Sequence, residues 1–243
     1  MKAMLMEVID SHIHWGPSIT MGIEVTTEEI LRQADECGVQ RMVIFPFPST
    51  AFADESIHHR LLKEAERTGR FLPYYCIPED LRPVPVGKGF YGGKWHWVRG
   101  VQDGASNYQV LDDPRLGEYI EASEAIGLPI VLEEELAFTE TFVKMTKTLM
   151  VIIPHLGMLG GNPVDFLKAF GARENIYFDT ALSSTETMMK FVEKVGPERV
   201  LFGSDIPFST MKRELEKVLS LPIGEASKDL ILHKNLERLI ERG

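Results

Sequence analysis

The sequence has 243 residues, of which 44% are hydrophobic and 26% charged, and this length and composition predict one soluble globular domain over residues 1–243. The formal net charge of −10 and the absence of a basic segment argue against a nucleic-acid partner, since phosphate backbones bind positive surfaces. No signal peptide or membrane-spanning stretch is evident and Cys37 and Cys76 show no paired spacing, so we expect a cytoplasmic protein without a membrane partner.

The first predicted strand, residues 8–14, delivers a pair of histidines to one place. Side chains alternate between the two faces of a strand, so Asp10, His12 and His14 share a face. Two imidazoles two residues apart can bind a single metal ion. The His-x-His pattern alone leaves ordinary polar histidines at a strand end as the alternative.

Helices and strands alternate from there along the chain. Capping residues and glycines mark the helix ends, and short apolar runs mark strands that are buried on both faces. The predicted strands are 8–14, 42–45, 71–77, 97–101, 129–132, 150–154, 176–179 and 200–203. The predicted helices are 26–37, 55–68, 113–126, 139–149, 162–170, 186–195, 211–219 and 225–240.

Residues 78–94 interrupt this alternation, because they are rich in proline and glycine and show no helical spacing. They predict a long irregular loop between the third and fourth strands, and loops of that length often have a function. Strands that alternate with helices predict a parallel sheet. The fold class is therefore α/β, and the number of strands favours a single, somewhat reduced (β/α)₈ TIM barrel.

Polar side chains stand at the carboxyl ends of several predicted strands, which is where barrel enzymes place their chemistry. They are His12, His14, Glu133, His155, Asp179 and Asp205. A barrel would bring these distant residues to one mouth. Imidazoles and carboxylates gathered in this way suit a divalent ion that activates water.

Four motifs resemble those of the amidohydrolase superfamily, in its amidohydrolase-related branch. They are DSHIH at 10–14, PHLG at 154–157, NIYFDT at 175–180 and, the most specific, GPERVLFGSDIP at 196–207. The branch includes α-amino-β-carboxymuconate-ε-semialdehyde decarboxylase, γ-resorcylate decarboxylase and certain lactonases. The resemblance covers nearly the whole chain in the right order and is weakest in the proline- and glycine-rich loop.

The resemblance implies a role for individual residues. His12 and His14 would be metal ligands, and Asp205 would be a ligand that also accepts a proton from the attacking water. His155 would act as an acid or base, or contact the substrate. The implied cofactor is one divalent ion, Zn²⁺ in the first place and Mn²⁺ or Fe²⁺ otherwise, and the implied assembly is a homodimer.

The sequence departs from the family pattern at the end of the fifth strand, where the family usually has a histidine ligand. Here Glu133 takes that position, and a carboxylate can replace the histidine as a ligand. An oxygen ligand would move the preference from Zn²⁺ toward Mn²⁺ or Fe²⁺. Glu135 has the same parity and could substitute for Glu133. The alternative is that residues 133–135 form a solvated run of glutamates.

These observations predict a metal-dependent hydrolase for a small carboxylated or cyclic amide or ester substrate, such as a lactone. Arg99 and Trp15 are the candidate substrate-binding residues, because they lie near strand ends and arginine can pair with a carboxylate. A non-oxidative decarboxylase on the same scaffold is the first alternative, and a phosphoesterase is the second. A metal-poor barrel that binds a small molecule without catalysis is the alternative from another class.

Overall fold

A curled sheet of nine strands forms the frame of the molecule in the computed structural model, which describes residues 7–101 and 104–241. The strands are β1 (Ile9–Ser18), β2 (Ile23–Val25), β3 (Arg41–Pro46), β4 (Phe71–Cys76), β5 (Gly92–His96), β6 (Ile130–Glu133), β7 (Val151–Ile153), β8 (Ile176–Asp179) and β9 (Val200–Leu201). β2 pairs antiparallel with the end of β1, and every other pair of neighbours is parallel. The α/β class is thus confirmed.

Backbone hydrogen bonds join the segment that follows β9 to β1 and close the sheet. The Ser11 amide donates to the Phe202 carbonyl over 2.8 Å, and the Asp205 amide donates to the His12 carbonyl over 2.8 Å. With β2 as an addition outside the ring, the eight parallel strands make the predicted (β/α)₈ barrel. The carboxyl ends of β1 and of the strand before Asp205 therefore meet.

Helices cover the outside of the barrel. They are α1 (Thr27–Cys37), α2 (Pro48–Ala53), α3 (Ser56–Thr68), α4 (Pro114–Ile126), α5 (Leu136–Met145), α6 (Pro163–Phe170), α7 (Thr185–Val195), α8 (Met211–Ser220), α9 (Glu225–Asp229) and α10 (Asn235–Ile240). The predicted N-caps are present, since the side chains of Thr26, Asp113 and Asn162 accept from backbone N–H groups of their helices. In the described ranges, no helix is both long and apolar enough to cross a bilayer.

The fourth barrel strand lies earlier than predicted, and the strand expected at 97–101 is wrong. β5 is Gly92–His96, and the chain leaves the extended conformation at once, with φ values of 45° at Trp97 and 57° at Arg99. A Cβ on Gly92 would lie 2.5 Å from the Tyr74 ring, so the strand needs glycine there. Residues 77–91, all of them described, contain no helix. The predicted long loop is therefore confirmed, but it ends at residue 91 rather than 94.

The barrel interior is filled at its amino-terminal end by apolar side chains. Members of this cluster are Ile9, Val43, Phe45, Leu72, Tyr74, Val131, Met150, Ile152, Leu201, Leu236, Leu239 and Ile240. The last three come from α10, which therefore packs across that end of the barrel. Arg41, the first residue of β3, donates to Glu237 of α10 over 2.6 Å. With that end closed, the opposite mouth is left for the polar groups.

Candidate metal centre

Five buried side chains converge at the carboxyl-terminal mouth of the barrel. β1 supplies His12 and His14, and Glu133 is the last residue of β6. His155 follows β7, and Asp205 follows β9. The structure thus brings together all the residues that the sequence analysis named as metal ligands or catalytic groups.

The polar atoms of this group face one another, but the distances between them are longer than those of good hydrogen bonds. Asp205 Oδ1 is 3.5 Å from His12 Nε2 and 3.4 Å from His14 Nε2. His155 Nε2 is 3.6 Å from Glu133 Oε1 and 3.9 Å from Asp205 Oδ2. Two trios share His12, one with His14 and Asp205 and one with Glu133 and His155, and the donor atoms of each trio lie within 4.8 Å of one another.

The donor set fits a divalent ion. Among the described residues, His12 Nε2 and Asp205 Oδ1 are buried polar atoms without a hydrogen-bond partner, although they face each other. Burial of such groups is costly unless something satisfies them. A cation between them would do so, and nitrogen and carboxylate donors together suit Zn²⁺, Mn²⁺ or Fe²⁺.

Asp179, at the end of β8, fixes the orientation of the His12 ring. Its Oδ2 lies 2.8 Å from His12 Nδ1, so Nδ1–H donates and the lone pair of Nε2 points into the centre. Asp179 Oδ1 accepts from the amides of His155 and Ala181, each over 3.0 Å. Burial alone would raise the pKa of Asp179, but His12 and His155 outweigh it and lower that pKa. Asp179 therefore remains ionised and positions two parts of the centre.

Asp10 connects β1 with the segment that ends in Asp205. Its Oδ1 accepts from the amides of His12 and Ser204, each over 3.0 Å. Burial raises the pKa of Asp10 to about 7, even though these hydrogen bonds act in the opposite direction. Asp10 belongs to neither trio of possible ligands.

Lys94 is a site residue that the sequence analysis missed, because it was assigned to the loop. It is fully buried, and its Nζ donates to Glu133 Oε2 over 2.5 Å. His96 Nδ1 lies 3.3 Å from the same oxygen. Lys94 and His96 alternate with Trp95 after a pair of glycines, and that period of two was the available signal for a strand. With Oε2 held by Lys94, Glu133 presents Oε1 to the histidines.

The local charges set the protonation of the centre. Burial alone would raise the pKa of Glu133, but His96, Lys94 and His155 outweigh it and hold that pKa well below its usual range. Burial lowers the pKa of His14 to about 3, with Lys94 adding to the effect. Burial would also lower the pKa of His155, but the nearby carboxylate of Glu133 raises it to about 9. These shifts favour the neutral form of His14 and the protonated form of His155.

The backbone is strained where it presents two of these side chains. His155 and Asp205 have φ values of 55° and 56°, a region that residues with a Cβ seldom occupy. Such strain is concentrated at functional sites, where the surrounding structure holds it in place. Gly203 allows the close approach, because a Cβ there would lie 3.0 Å from His12 Cβ.

A cavity of about 710 Å³ opens above the centre, a volume that suits a small molecule. His14, His96, Glu133, His155 and Asp205 form its floor and inner wall. The remaining lining residues are Ser18, Thr20, Met21, Phe47, Pro48, Ser49, Leu159, Leu182 and Phe208. The cavity therefore combines a polar floor with a largely apolar wall.

The two predicted substrate-binding residues are not among the lining residues of this cavity. Trp15 is next to His14 in β1 and so points to the other face, where its indole donates to Thr27 over 2.9 Å. Arg99 lies beyond the end of β5, and its guanidinium donates to Asp113 over 2.7 Å. The prediction for Arg99 depended on the misplaced fourth strand.

The other two glutamates of the run have separate environments. Glu134 Oε1 accepts from the Trp95 indole over 2.8 Å and from the Val98 amide over 3.1 Å. Glu135 is the N-cap residue of α5, and its amide donates to the Ser106 hydroxyl over 2.9 Å. Neither belongs to a ligand trio within the part of the chain that the structure describes. Glu133 is thus the glutamate that faces the centre.

Solved structures with the same fold include several enzymes. An amidohydrolase from Burkholderia multivorans with bound zinc has a TM-score of 0.79 at 13% identity, over 98% of this chain and 100% of that chain. A dihydroxybenzoic acid decarboxylase from Polaromonas sp. JS666 with bound manganese and the inhibitor 2-nitroresorcinol has a TM-score of 0.78 at 14% identity, over 98% and 97%. A probable 2-pyrone-4,6-dicarboxylic acid hydrolase from Acinetobacter baumannii with citric acid bound has a TM-score of 0.75 at 14% identity, over 97% and 100%.

At these identities, the likeness to the solved structures shows the fold alone. No curated protein sequence matches the chain. The family model described as Amidohydrolase matches residues 9–242 and so includes every side chain of the metal centre. The chain therefore belongs to the amidohydrolase family.

Proposed function

We propose that this protein is a metal-dependent hydrolase that cleaves a small ester or amide, cyclic ones included, at the mouth of the barrel. The observation that carries the proposal is the pair of buried, unpartnered atoms His12 Nε2 and Asp205 Oδ1, which face each other under a cavity. The zinc and manganese held by proteins of the same fold support a divalent ion. We take Zn²⁺ as the first candidate.

His12, His14, Asp205 and Glu133 Oε1 would hold the ion. The orientation of His12 by Asp179 and the neutrality of His14 leave nitrogen lone pairs free for it. His155, which also belongs to the trio with His12 and Glu133, is assigned here as the acid of the site, because Glu133 raises its pKa. A bound divalent ion supplies Lewis acidity, which makes water a nucleophile near neutral pH.

Asp205 and His155 move the protons of this reaction. With Oδ1 directed toward His12 and His14, Asp205 Oδ2 is free to accept a proton from the attacking water. Burial raises the pKa of Asp205, although His12 and His155 oppose this, and a higher pKa makes it a stronger base. His155 Nε2 then donates a proton to the leaving oxygen or nitrogen. Glu133 keeps that proton in place through its charge.

Decarboxylation is a second candidate, and the protonated state of His155 favours it. When a carboxylate leaves as CO₂, the electron pair of the broken bond stays on carbon, and His155 could deliver the proton that this carbon takes up. The decarboxylase from Polaromonas has the same fold. The two candidates differ in whether water is consumed or CO₂ is released.

Elemental analysis tests the proposal directly. The wild-type protein is purified without chelators beside His12→Ala, Glu133→Gln and the control His59→Ala, whose side chain lies exposed on α3. We expect near-stoichiometric metal in wild type and control, and a large loss in His12→Ala. If Glu133 is a ligand, Glu133→Gln loses metal as well.

The loaded protein is then assayed on lactones, aryl esters and hydroxybenzoates, with separate detection of acid and of CO₂. Acid release that depends on the metal supports the hydrolase, whereas CO₂ release alone supports the second candidate. A protein that takes up no metal even after reconstitution contradicts both.

A further inference from the structure

We propose that the substrate carries no second charged group: beyond the one group that meets the ion, its body is neutral and apolar or aromatic. This inference rests on the proposed function and names the substrate class of the same site. It departs from the sequence-based expectation of a carboxylated substrate held by an arginine.

The wall of the cavity is largely apolar and carries no strongly basic side chain among its described lining residues. Among the described lining residues there is no arginine or lysine, and the wall is made largely of Met21, Phe47, Leu159, Leu182 and Phe208. The pair at 102–103, outside the described ranges, is Gln-Asp and so adds no positive charge. A carboxylate that entered this wall would lose its hydration without gaining a cation, which is unfavourable.

Three cations near the barrel mouth are engaged elsewhere. Lys94 is held by Glu133, and Arg99 by Asp113 and by the carbonyl oxygen of Glu79, 2.6 Å away. Lys217, which reaches the loop after β8, donates to Glu214 over 2.6 Å and to a backbone carbonyl over 3.0 Å. To reach any of these three cations, an anionic substituent would have to break an existing pair.

The histidines His155 and His96 already face carboxylates of the site. His155 lies between the carboxylates of Glu133 and Asp205. His96 lines the cavity, and its Nδ1 lies 3.3 Å from Glu133 Oε2. The ring can form a hydrogen bond with a carbonyl, ether or hydroxyl group of a ligand.

Exposed apolar side chains at the mouth of the cavity favour a neutral ring in the ligand. Three of its apolar side chains are unusually exposed, with Phe208 and Leu159 at 51% and Met21 at 42%. His14, on the floor, stacks on Phe47 at 4.7 Å and meets the edge of Phe208 at 5.6 Å. A ring placed against these side chains would bury apolar surface on both sides, which favours binding.

Two hydroxamates test this inference through binding rather than turnover. Benzohydroxamate and 4-carboxybenzohydroxamate share a metal-chelating group and differ by one carboxylate. Titration calorimetry on the zinc-loaded protein is expected to show that the uncharged ring binds at least about tenfold more tightly. Equal or tighter binding of the carboxylated compound would overturn the inference, and so would the failure of both compounds to bind.

A positive charge introduced at the mouth of the cavity gives a second test of the inference. Leu159→Arg introduces a guanidinium at the cavity wall, and Leu159→Gln is its uncharged control. The arginine variant is expected to bind 4-carboxybenzohydroxamate about tenfold more tightly than the glutamine variant does. If the two variants bind it equally, charge does not govern selection and the inference is wrong.

These readouts separate this inference from the proposed function. A preference for the uncharged ring without any hydrolytic activity would leave the inference standing and remove the hydrolase. Metal-dependent hydrolysis restricted to carboxylated esters would support the hydrolase and overturn the inference.

Discussion

At the scale of single residues, Lys94 is the most informative side chain. It has no exposure to solvent, and its ammonium group sits 4.7 Å from the Phe45 ring while it donates to Glu133. A buried ion pair adds little net stability, but breaking it from one side leaves a buried charge without a partner. We infer that Lys94 positions Glu133 and keeps it ionised.

Replacement of Lys94 by methionine is therefore expected to lower the free energy of unfolding of the metal-free protein by about 3–5 kcal/mol. The side chain of methionine fills most of the volume, so the loss reflects a buried Glu133 carboxylate without its hydrogen-bonded cation. Urea unfolding at pH 7 measures it.

The control for this variant is Lys144→Met, at an exposed position in the last turn of α5, where we expect a change within about 0.5 kcal/mol. The double variant Lys94→Met/Glu133→Leu should recover much of the lost stability, because it removes both charges. A Lys94→Met variant as stable as the control would contradict the role assigned to Lys94.

At the scale of elements, β5 shows how packing can override local sequence preference. Gly92 and Gly93 would ordinarily weaken a strand. Here the Tyr74 ring and the Pro129 carbonyl lie where a Cβ on Gly92 would be, at 2.5 and 2.7 Å. The glycines are what allow β5 to fit between β4 and β6, and this fit places Lys94 and His96 at the mouth.

A pair of glycine substitutions tests this account. Gly92→Ala is expected to cost about 3 kcal/mol of unfolding free energy, since the Pro129 carbonyl belongs to the backbone and cannot move aside. Gly117→Ala, at an exposed position in α4 with open space around it, is expected to stabilise by roughly 0.5–1 kcal/mol. Thermal or urea unfolding of the two variants gives the comparison, and a neutral Gly92→Ala would rule out close packing as the reason for the glycine.

His58 connects α3 with the end of β4. Its Nε2 accepts from the Cys76 amide over 3.0 Å, and burial lowers the pKa of the ring from 6.5. Below pH 6.5 the unfolded chain takes up a proton that the folded ring resists, so the stability contributed by His58 is present above that pH and is lost as the pH falls below it.

We expect the drop in unfolding free energy between pH 7.5 and pH 5.5 to be smaller in His58→Gln than in the wild type. His59→Gln changes the exposed neighbour and should retain the wild-type drop. Denaturant unfolding at the two pH values measures both. An identical pH dependence in all three proteins would contradict the assignment.

At the scale of the whole molecule, a closed barrel brings residues from positions 12 to 205 to one mouth. Most of this was predictable. The strand alternation gave the fold, and the polar residues at strand ends gave every candidate ligand. What could not be predicted depends on distances: the orientation of Glu133 toward His12 and His155 rather than solvent, and the engagement of Arg99 by Asp113. The fourth strand was misplaced because its two glycines obscure the short alternation of Lys94, Trp95 and His96.

Metal binding should be visible in the stability of the whole chain. Zn²⁺ at about one hundred times its dissociation constant is expected to raise the unfolding free energy by about 2.7 kcal/mol, because the unfolded chain does not preserve the site. Thermal unfolding with zinc and with a chelator measures the shift. His12→Ala should show no such shift, whereas an equal shift in that variant would place the bound ion somewhere else.

The closure of the barrel by α10 has a consequence for how the protein is made. A nascent chain that has emerged as far as Leu201 already contains every strand, but the lower interior still lacks Leu236, Leu239 and Ile240. Until these residues leave the ribosome, the apolar ends of the strands remain open to water and to other chains. The barrel is therefore expected to complete its folding only after α10 has emerged, and a ribosome stalled before residue 236 should hold a chain that binds chaperones and is readily cut by protease.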